Sequence, residues 1–228
     1  MRTVLRRPLE GLRTSRLENL EPLTLERGGR PDVRRDAAAL VSAVLPLLHE
    51  AGNPYFDWFF GDPAAARSML GAWMMRSSSE VALERIVVAS SQDEVVGAFL
   101  ALGGAELVHA RQVDVLALVN EASRDPSARA ELVERIAATK ILFARVAPRD
   151  WYLSKVAVVD AHRARGLGRA LVEEYLAAGL AAGFRRFRLD VSADNDQAVR
   201  IYRSLGFRVE ADRAAAGMRY LAMTLDHP

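Results

Sequence analysis

Arg163-Ala164-Arg165-Gly166-Leu167-Gly168 lies between two apolar patterns of different period. Before it, Tyr152 to Val159 reads as an apolar strand. After it, Leu171, Val172, Tyr175, Leu176 and Leu180 recur at helical steps, so a helix opens at about Gly168. A strand-to-helix turn of this composition is an anion cradle. Glycine lets the backbone turn tightly and approach a ligand with no Cβ in the way. The first N–H groups of the helix have no partner inside it and point outward. The helix dipole adds positive potential, and Arg163, Arg165 and Arg169 add full charges. The matching guest is a phosphate or pyrophosphate, although the same residues would also make a solvated basic turn. Other phosphate loops fit less well. Gly168 is followed by Arg169 and Ala170 where a Walker A loop needs Lys and Ser or Thr, and Leu171 stands where a dinucleotide fingerprint needs a small residue. Asp190 does lie about twenty residues on, as that fingerprint requires, but too few residues remain beyond it for further βα units.

Downstream, Gly183 and Phe184 stop the helix, and Phe187 to Val191 is a strand. Asp194 or Asn195 caps a helix bearing Ala198, Ile201, Tyr202 and Leu205; Gly206-Phe207 ends it and opens a strand, and Met218 to Leu225 gives the last. Upstream, Leu23 and Leu25 suggest a short strand near 22–28. Asp32 can cap a helix with a stripe of Val33, Ala37, Leu40, Val41, Val44 and Leu48, which Gly52 would end in the left-handed conformation. An aromatic cluster, Tyr55, Phe56, Trp58, Phe59 and Phe60 with Asp57 among them, precedes a helix that starts at Asp62-Pro63 and runs to about Arg76. Val81–Ser90 and Glu94–Leu102 read as a hairpin about Ser91-Gln92-Asp93. The stretch from Gly103 to about Val146 is helical, with a second start at Asp125-Pro126 and a stripe of Leu132, Val133, Ile136 and Ala137. No repeat or low-complexity linker interrupts the chain. It reads as one α/β domain over 1–228, with an irregular N-terminal extension at 1–21 and a helical insertion at 104–147.

Composition narrows the function. The 228 residues are 50% hydrophobic and 26% charged, enough to bury a core, so disorder as the main state is excluded. With no cysteine there is no disulfide, thiolate zinc site, iron–sulfur cluster or cysteine nucleophile. His49, His109, His162 and His227 show no ligand spacing, so no metal is expected. Thirty-one basic residues against 29 acidic ones give little support to nucleic-acid binding. No apolar run is long enough for a membrane span. The five arginines in Met1–Arg16 are followed by no apolar core or cleavage site, so a cytoplasmic home is the expectation.

The order apolar strand, Arg-x-x-Gly-x-Gly, helix, strand, Asn, helix with Tyr, Gly-Phe resembles the GNAT superfamily of acetyl-CoA-dependent N-acetyltransferases. The residues that carry the resemblance are Val156-Ala157-Val158, Arg163 to Gly168, Asp190-Val191-Ser192-Ala193-Asp194-Asn195, Ala198, Ile201-Tyr202 and Leu205-Gly206-Phe207. It covers about residues 150–210, with the strand pair 85–102 matching loosely. It implies a mixed, mostly antiparallel central sheet flanked by helices, with the helical insertion between the third and fourth strands. It also implies acetyl-CoA as co-substrate. The backbone of Arg163, Ala164, Arg165, Gly166, Leu167, Gly168 and Arg169 would hold the pyrophosphate. The backbone of Val156, Ala157 and Val158, on a strand that splays from its neighbour, would hold the pantetheine arm, and a strand N–H near Val158 would polarise the thioester carbonyl. Asn195 and Ala198 would help to hold the coenzyme. Dimers are frequent in folds of this type, which makes a homodimer an open expectation.

Without cysteine, the amine must attack the thioester directly, which requires removal of its proton and favours a proton donor for the departing thiolate. Tyr202 matches the family tyrosine for the acid; it also fits as an amphipathic core residue. For the base, Asp190 lies twelve residues ahead of Tyr202, a spacing similar to that in ribosomal-protein alanine acetyltransferases. A solvated strand residue paired with Arg188 would read the same way. The family's Glu on the strand before the loop is missing, Ser154 and Lys155 standing there instead. Asp57, among Tyr55 and Trp58, could bind an amine cation beside aromatic faces or simply cap a helix. Trp151 and Tyr152 fit packing or an acceptor wall equally. The insertion and the aromatic pair before the coenzyme strand loosely resemble puromycin acetyltransferase relatives. The expected reaction is therefore acetyl transfer to a primary amine, on a small molecule, with no nucleic acid or membrane partner. A protein N-terminus as acceptor and a non-catalytic acyl-CoA sensor are the alternatives.

Overall fold

Alternating apolar residues in the middle of the chain and helical stripes on either side make a mixed, mostly antiparallel sheet with flanking helices. The computed structural model describes residues 7–8, 24–27, 34–92, 94–123, 125–143 and 145–228; at 7–8, 24–27 and 34–36 only the backbone is described. The expected extension at 1–21, apart from residues 7–8, and the expected cap Asp32 lie outside them. Two compact units are formed, each from segments distant in sequence: residues 1–77, 81–101 and 155–178 make one, and 78–80, 102–154 and 179–228 the other.

In the first unit the strands run in the order β1 (Arg7–Pro8), β2 (Thr24–Arg27), β3 (Ile86–Ser91), β4 (Glu94–Gly103) and β5 (Asp150–Val158), of which residues 155–158 belong here. β2, β3 and β4 are antiparallel, with Val88 opposite Ala98 and a register shift at Ala89/Ser90. Gln92, at φ 49°, makes the turn between β3 and β4; Asp93 lies outside the described residues. Strand β3 starts later than the sequence pattern suggests, because Leu83–Arg85 forms a 3-10 turn. Three helices pack together: α1 (Arg34–Gly52), α2 (Tyr55–Phe60) and α3 (Pro63–Met74). Asp62 caps α3, accepting from the N–H groups of Ala64 at 2.7 Å and Ala65 at 2.9 Å. Ala66, Leu70, Trp73 and Met74 form its buried stripe. The aromatic cluster is the helix α2, and Phe60 meets the Trp73 ring edge-on at 5.6 Å. Gly52 departs from expectation. It stays helical and has no positive φ. Its value is its size, because a Cβ there would stand 2.1 Å from the Phe56 ring.

In the second unit the order is β5, β6 (Arg186–Ser192), β8 (Met218–Asp226), β7 (Arg208–Ala215). β5 and β6 are parallel, β6 and β8 antiparallel, and β7 and β8 form a hairpin whose turn residues Ala216 and Gly217 both have positive φ, as such two-residue turns require. Between β4 and β5 run α4 (Gly104–Ala122) and α5 (Pro126–Leu142), the latter capped by Asp125 and packed on β7. The expected stripe on α5 is corrected in part. Leu132 is buried, but Val133 is 57% exposed and Ala137 is exposed, while Leu142 supplies the second buried contact. The remaining helices are α6 (Leu167–Ala181), whose last three residues belong here, and α7 (Asp196–Ser204).

Candidate active site

The turn at 163–168 belongs to the first unit. Ala164 and Gly166 both have positive φ, 59° and 89°. That conformation suits Gly166 and costs Ala164, a local strain of the kind held at ligand-binding backbone. The first helical bond of α6 runs from Ala170 N–H to Gly166 O at 3.0 Å. The N–H groups of Leu167, Gly168 and Arg169 therefore stand in the first turn with no acceptor inside the helix. This is the donor set an anion needs, with the dipole of a fifteen-residue helix behind it.

The arginines of the turn differ in use. Arg163 Nε donates to Val158 O at 2.9 Å, its guanidinium pairs with Asp160 at 2.8 Å and with Glu50, and its own N–H is taken by Asp160 O. It ties the turn to β5 and α1. Arg169 pairs with Glu173 one helical turn on, at 2.8 Å. Arg165 is exposed and makes no ion pair among the described residues.

Strand β5 is built unevenly. Its ladder with β6 covers Asp150–Leu153 against Arg186–Leu189, the first four of its nine residues. Val159 N–H donates to Val96 O at 2.9 Å. Because successive N–H groups of a strand point to opposite edges, that of Val158 is directed away from β4. Gly97 on β4 admits the close approach of Ala157, whose carbonyl lies 3.1 Å from where a Cβ would be.

Also in the first unit, Asp57 is held by α1 and the turn after it: its Oδ1 lies 2.6 Å from His49 Nε2, and its Oδ2 accepts from Asn53 Nδ2 at 3.0 Å. Tyr55 and Trp58 are half-buried, 6.0 Å apart between ring centroids. Lys155 Nζ stands 5.0 Å from the Phe56 ring centroid.

The second unit holds Tyr202, Asp190 and Tyr152. Tyr202 is 6% exposed on α7 against Phe207, and burial pushes its phenol well above the ordinary tyrosine range. Its hydroxyl therefore stays protonated. Asn195 caps α7, its Oδ1 accepting from Ala198 N–H at 3.0 Å, so oxygen and amide are already joined to one another. Asp190 is partnered by Tyr152, whose hydroxyl donates to Asp190 Oδ2 at 2.9 Å. Arg188, the partner considered from sequence, pairs with Glu210 and lies 3.8 Å from Asp150.

Sequence reasoning passed over Glu80, Arg111 and Asp114. Asp114, buried on α4, accepts from Ser79 Oγ at 3.0 Å and Glu80 N–H at 2.9 Å. The Glu80 carboxylate accepts from Arg111 Nε at 2.8 Å and from Ser154 Oγ at 2.5 Å. A carboxylate thus does reach β5 beside the missing family Glu, brought from the segment before β3. Burial works against the Arg111 charge and the Glu80 carboxylate outweighs it, raising the guanidinium pKa. Burial, then the Asp190 charge, pushes the Tyr152 phenol well above its ordinary value. No sequence spacing announces this group, because Glu80 follows a plain serine run. Among the described residues no group of His, Asp and Glu could hold a metal, and no helix is long and apolar enough to cross a membrane.

The family model of the Acetyltransferase (GNAT) family matches residues 48–207. Over 63 residues the chain is 43% identical to N-alpha-acetyltransferase 40 of Saccharomyces cerevisiae, a match covering 25% of this chain and 22% of that protein. The chain therefore spans about a fifth of that curated relative. Among solved structures, one described as an acetyltransferase is 19% identical, with TM-score 0.57 over 90% of this chain and 99% of its own. An N-acetyltransferase from Staphylococcus aureus Mu50 is 18% identical, with TM-score 0.55 over 88% and 99%. At these identities the two structures speak for the fold.

Proposed function

We propose, from the premise that this chain belongs to the GNAT acetyltransferase family, that it is an acetyl-CoA-dependent N-acetyltransferase and acetylates a primary amine by direct attack in a ternary complex. The observation that carries the coenzyme half is the turn at 163–168, with two positive-φ residues and an open first helical turn behind it. The residues present fit a diphosphate. N–H groups of Leu167, Gly168 and Arg169 would hold it, Arg165 would add charge, and Arg163 would keep the turn in place. The backbone of Val156–Val158 would line the pantetheine arm, and the Val158 N–H would polarise the thioester carbonyl. When bound, acetyl-CoA supplies the activated acetyl group. Asp190 takes the proton of the amine, and Tyr202 gives one to the departing thiolate. Asn195 and Ala198 would act on the coenzyme, if at all, through the helix end that they build together.

Two acceptor classes have separate support. The half-buried Tyr55 and Trp58, beside the anchored Asp57, favour a small aromatic-binding amine. The local identity to N-alpha-acetyltransferase 40 favours a protein N-terminus. An amine screen against acetyl-CoA, read by free thiol release, separates them: turnover of short peptides only when their N-terminus is free selects the protein reading, and turnover of small amines alone selects the other. No release with any amine, together with retained acetyl-CoA binding, would make the chain a sensor.

A further inference from the structure

The Glu80–Arg111 pair is joined through Tyr152 to the carboxylate proposed above as base. Glu80 grips Arg111 through Nε at 2.8 Å and Nη2 at 3.3 Å. The Arg111 guanidinium stands 5.2 Å from the Tyr152 ring centroid, and its charge bears on the phenol. The Tyr152 hydroxyl in turn donates to Asp190 Oδ2. Each member comes from a different element: the segment before β3, α4, β5 and β6. The start of the chain is itself anchored, since Asp114 holds the Glu80 backbone and Ser154 holds its carboxylate. A guanidinium cannot accept the hydrogen of the phenol beside it, and that hydrogen goes to Asp190 Oδ2.

We propose that Glu80 and Arg111 are positioning residues for proton removal from the acceptor amine: they fix the Tyr152 hydroxyl as a donor to one oxygen of Asp190 and so orient the other oxygen to take the ammonium proton. This rests on the reading of Asp190 as base. The step is a plain proton transfer. The N–H bond of the ammonium breaks, an O–H bond forms on Asp190, and the neutral amine keeps the lone pair that forms the new N–C bond. Arg111, one of the four groups, and Asp114, which anchors the first of them, both lie on α4, so this helix between β4 and β5 takes part in the proposed reaction geometry rather than only covering the sheet.

The test uses two acceptor probes with saturating acetyl-CoA and thiol release as readout. Benzylamine is mostly cationic at neutral pH and must lose a proton before attack. Hydroxylamine is mostly neutral and needs no such step. Arg111→Gln and Glu80→Gln should each lower kcat for benzylamine about tenfold with KM little changed. Both should leave the hydroxylamine rate intact, and Arg111→Lys should recover part of the benzylamine loss. Asp190→Asn should lose more, and adding Arg111→Gln to it should cost nothing further. Equal losses on both probes, or none on benzylamine, would overturn the positioning role; the hydroxylamine rate and the lysine variant separate this from misfolding. If Asp190→Asn keeps its benzylamine rate, the reading of Asp190 as base falls first. If wild-type protein turns over neither these probes nor any amine or peptide of the screen above, the reading of the whole site falls with it.

Discussion

Two buried phenols carry most of the proposed chemistry at the scale of single residues. Tyr202 and Tyr152 both sit above the ordinary tyrosine range, chiefly because burial disfavours the phenolate. For Tyr202 this keeps a proton available, so Tyr202→Phe should lower turnover about 10²-fold while acetyl-CoA affinity, read by calorimetry, stays put. Full activity would leave the ring a packing residue. The shifts also fix a stability trend. A folded value above the unfolded one means that the folded chain keeps protons which the unfolded chain releases. The linked stability is complete below about pH 10 and is lost as pH rises beyond it. The melting temperature should therefore fall from about pH 10 upward, and Tyr152→Phe should flatten that slope. An unchanged slope would show that the phenols do not govern alkaline unfolding.

At the scale of elements, ends and crossings matter more than propensity. The coenzyme site proposed at the α6 N-terminus depends on a turn that holds two positive-φ residues, so Gly166→Val should abolish acetyl-CoA binding with circular dichroism unchanged. Undiminished calorimetric affinity would remove the cradle. Where α1 passes α2, Gly52→Ala would place a methyl 2.1 Å from the Phe56 ring. An overpacking cost of about 1–3 kcal/mol is expected in urea denaturation, unlike the small gain that alanine normally brings inside a helix. The cap of α5 is simpler: Asp125→Ala frees the N–H groups of Ser127 and Ala128 and should cost about 1 kcal/mol by the same measurement.

For the whole molecule, acetyl-CoA should stabilise the folded chain by mass action, about 2.7 kcal/mol at a hundredfold excess over Kd, and a missing thermal shift would contradict binding to the native state. Much of the architecture could be read beforehand. Asp62-Pro63, Asp125-Pro126 and Gly183-Phe184 punctuate the helices locally, and the alternating runs mark the strands, because capping and period are properties of neighbouring residues. The turn at 163–168 was legible for the same reason: its glycines, its arginines and the helix behind them are contiguous. What stayed hidden depends on residues far apart in sequence. The helix α2 was concealed by a cluster that is aromatic on nearly every side, and Gly52 looked like a helix stop until the Phe56 ring stood against it. Arg163 reads as a phosphate ligand until Glu50 and Asp160 are seen to hold it. Glu80, Arg111, Tyr152 and Asp190 span 110 residues and share no spacing rule. The chain alone determined most of its secondary elements, its family and its glycine- and arginine-rich turn, through local sterics and hydrogen bonding. Only the tertiary structure decided which carboxylate meets which donor, since burial brings those side chains together and leaves each few other partners.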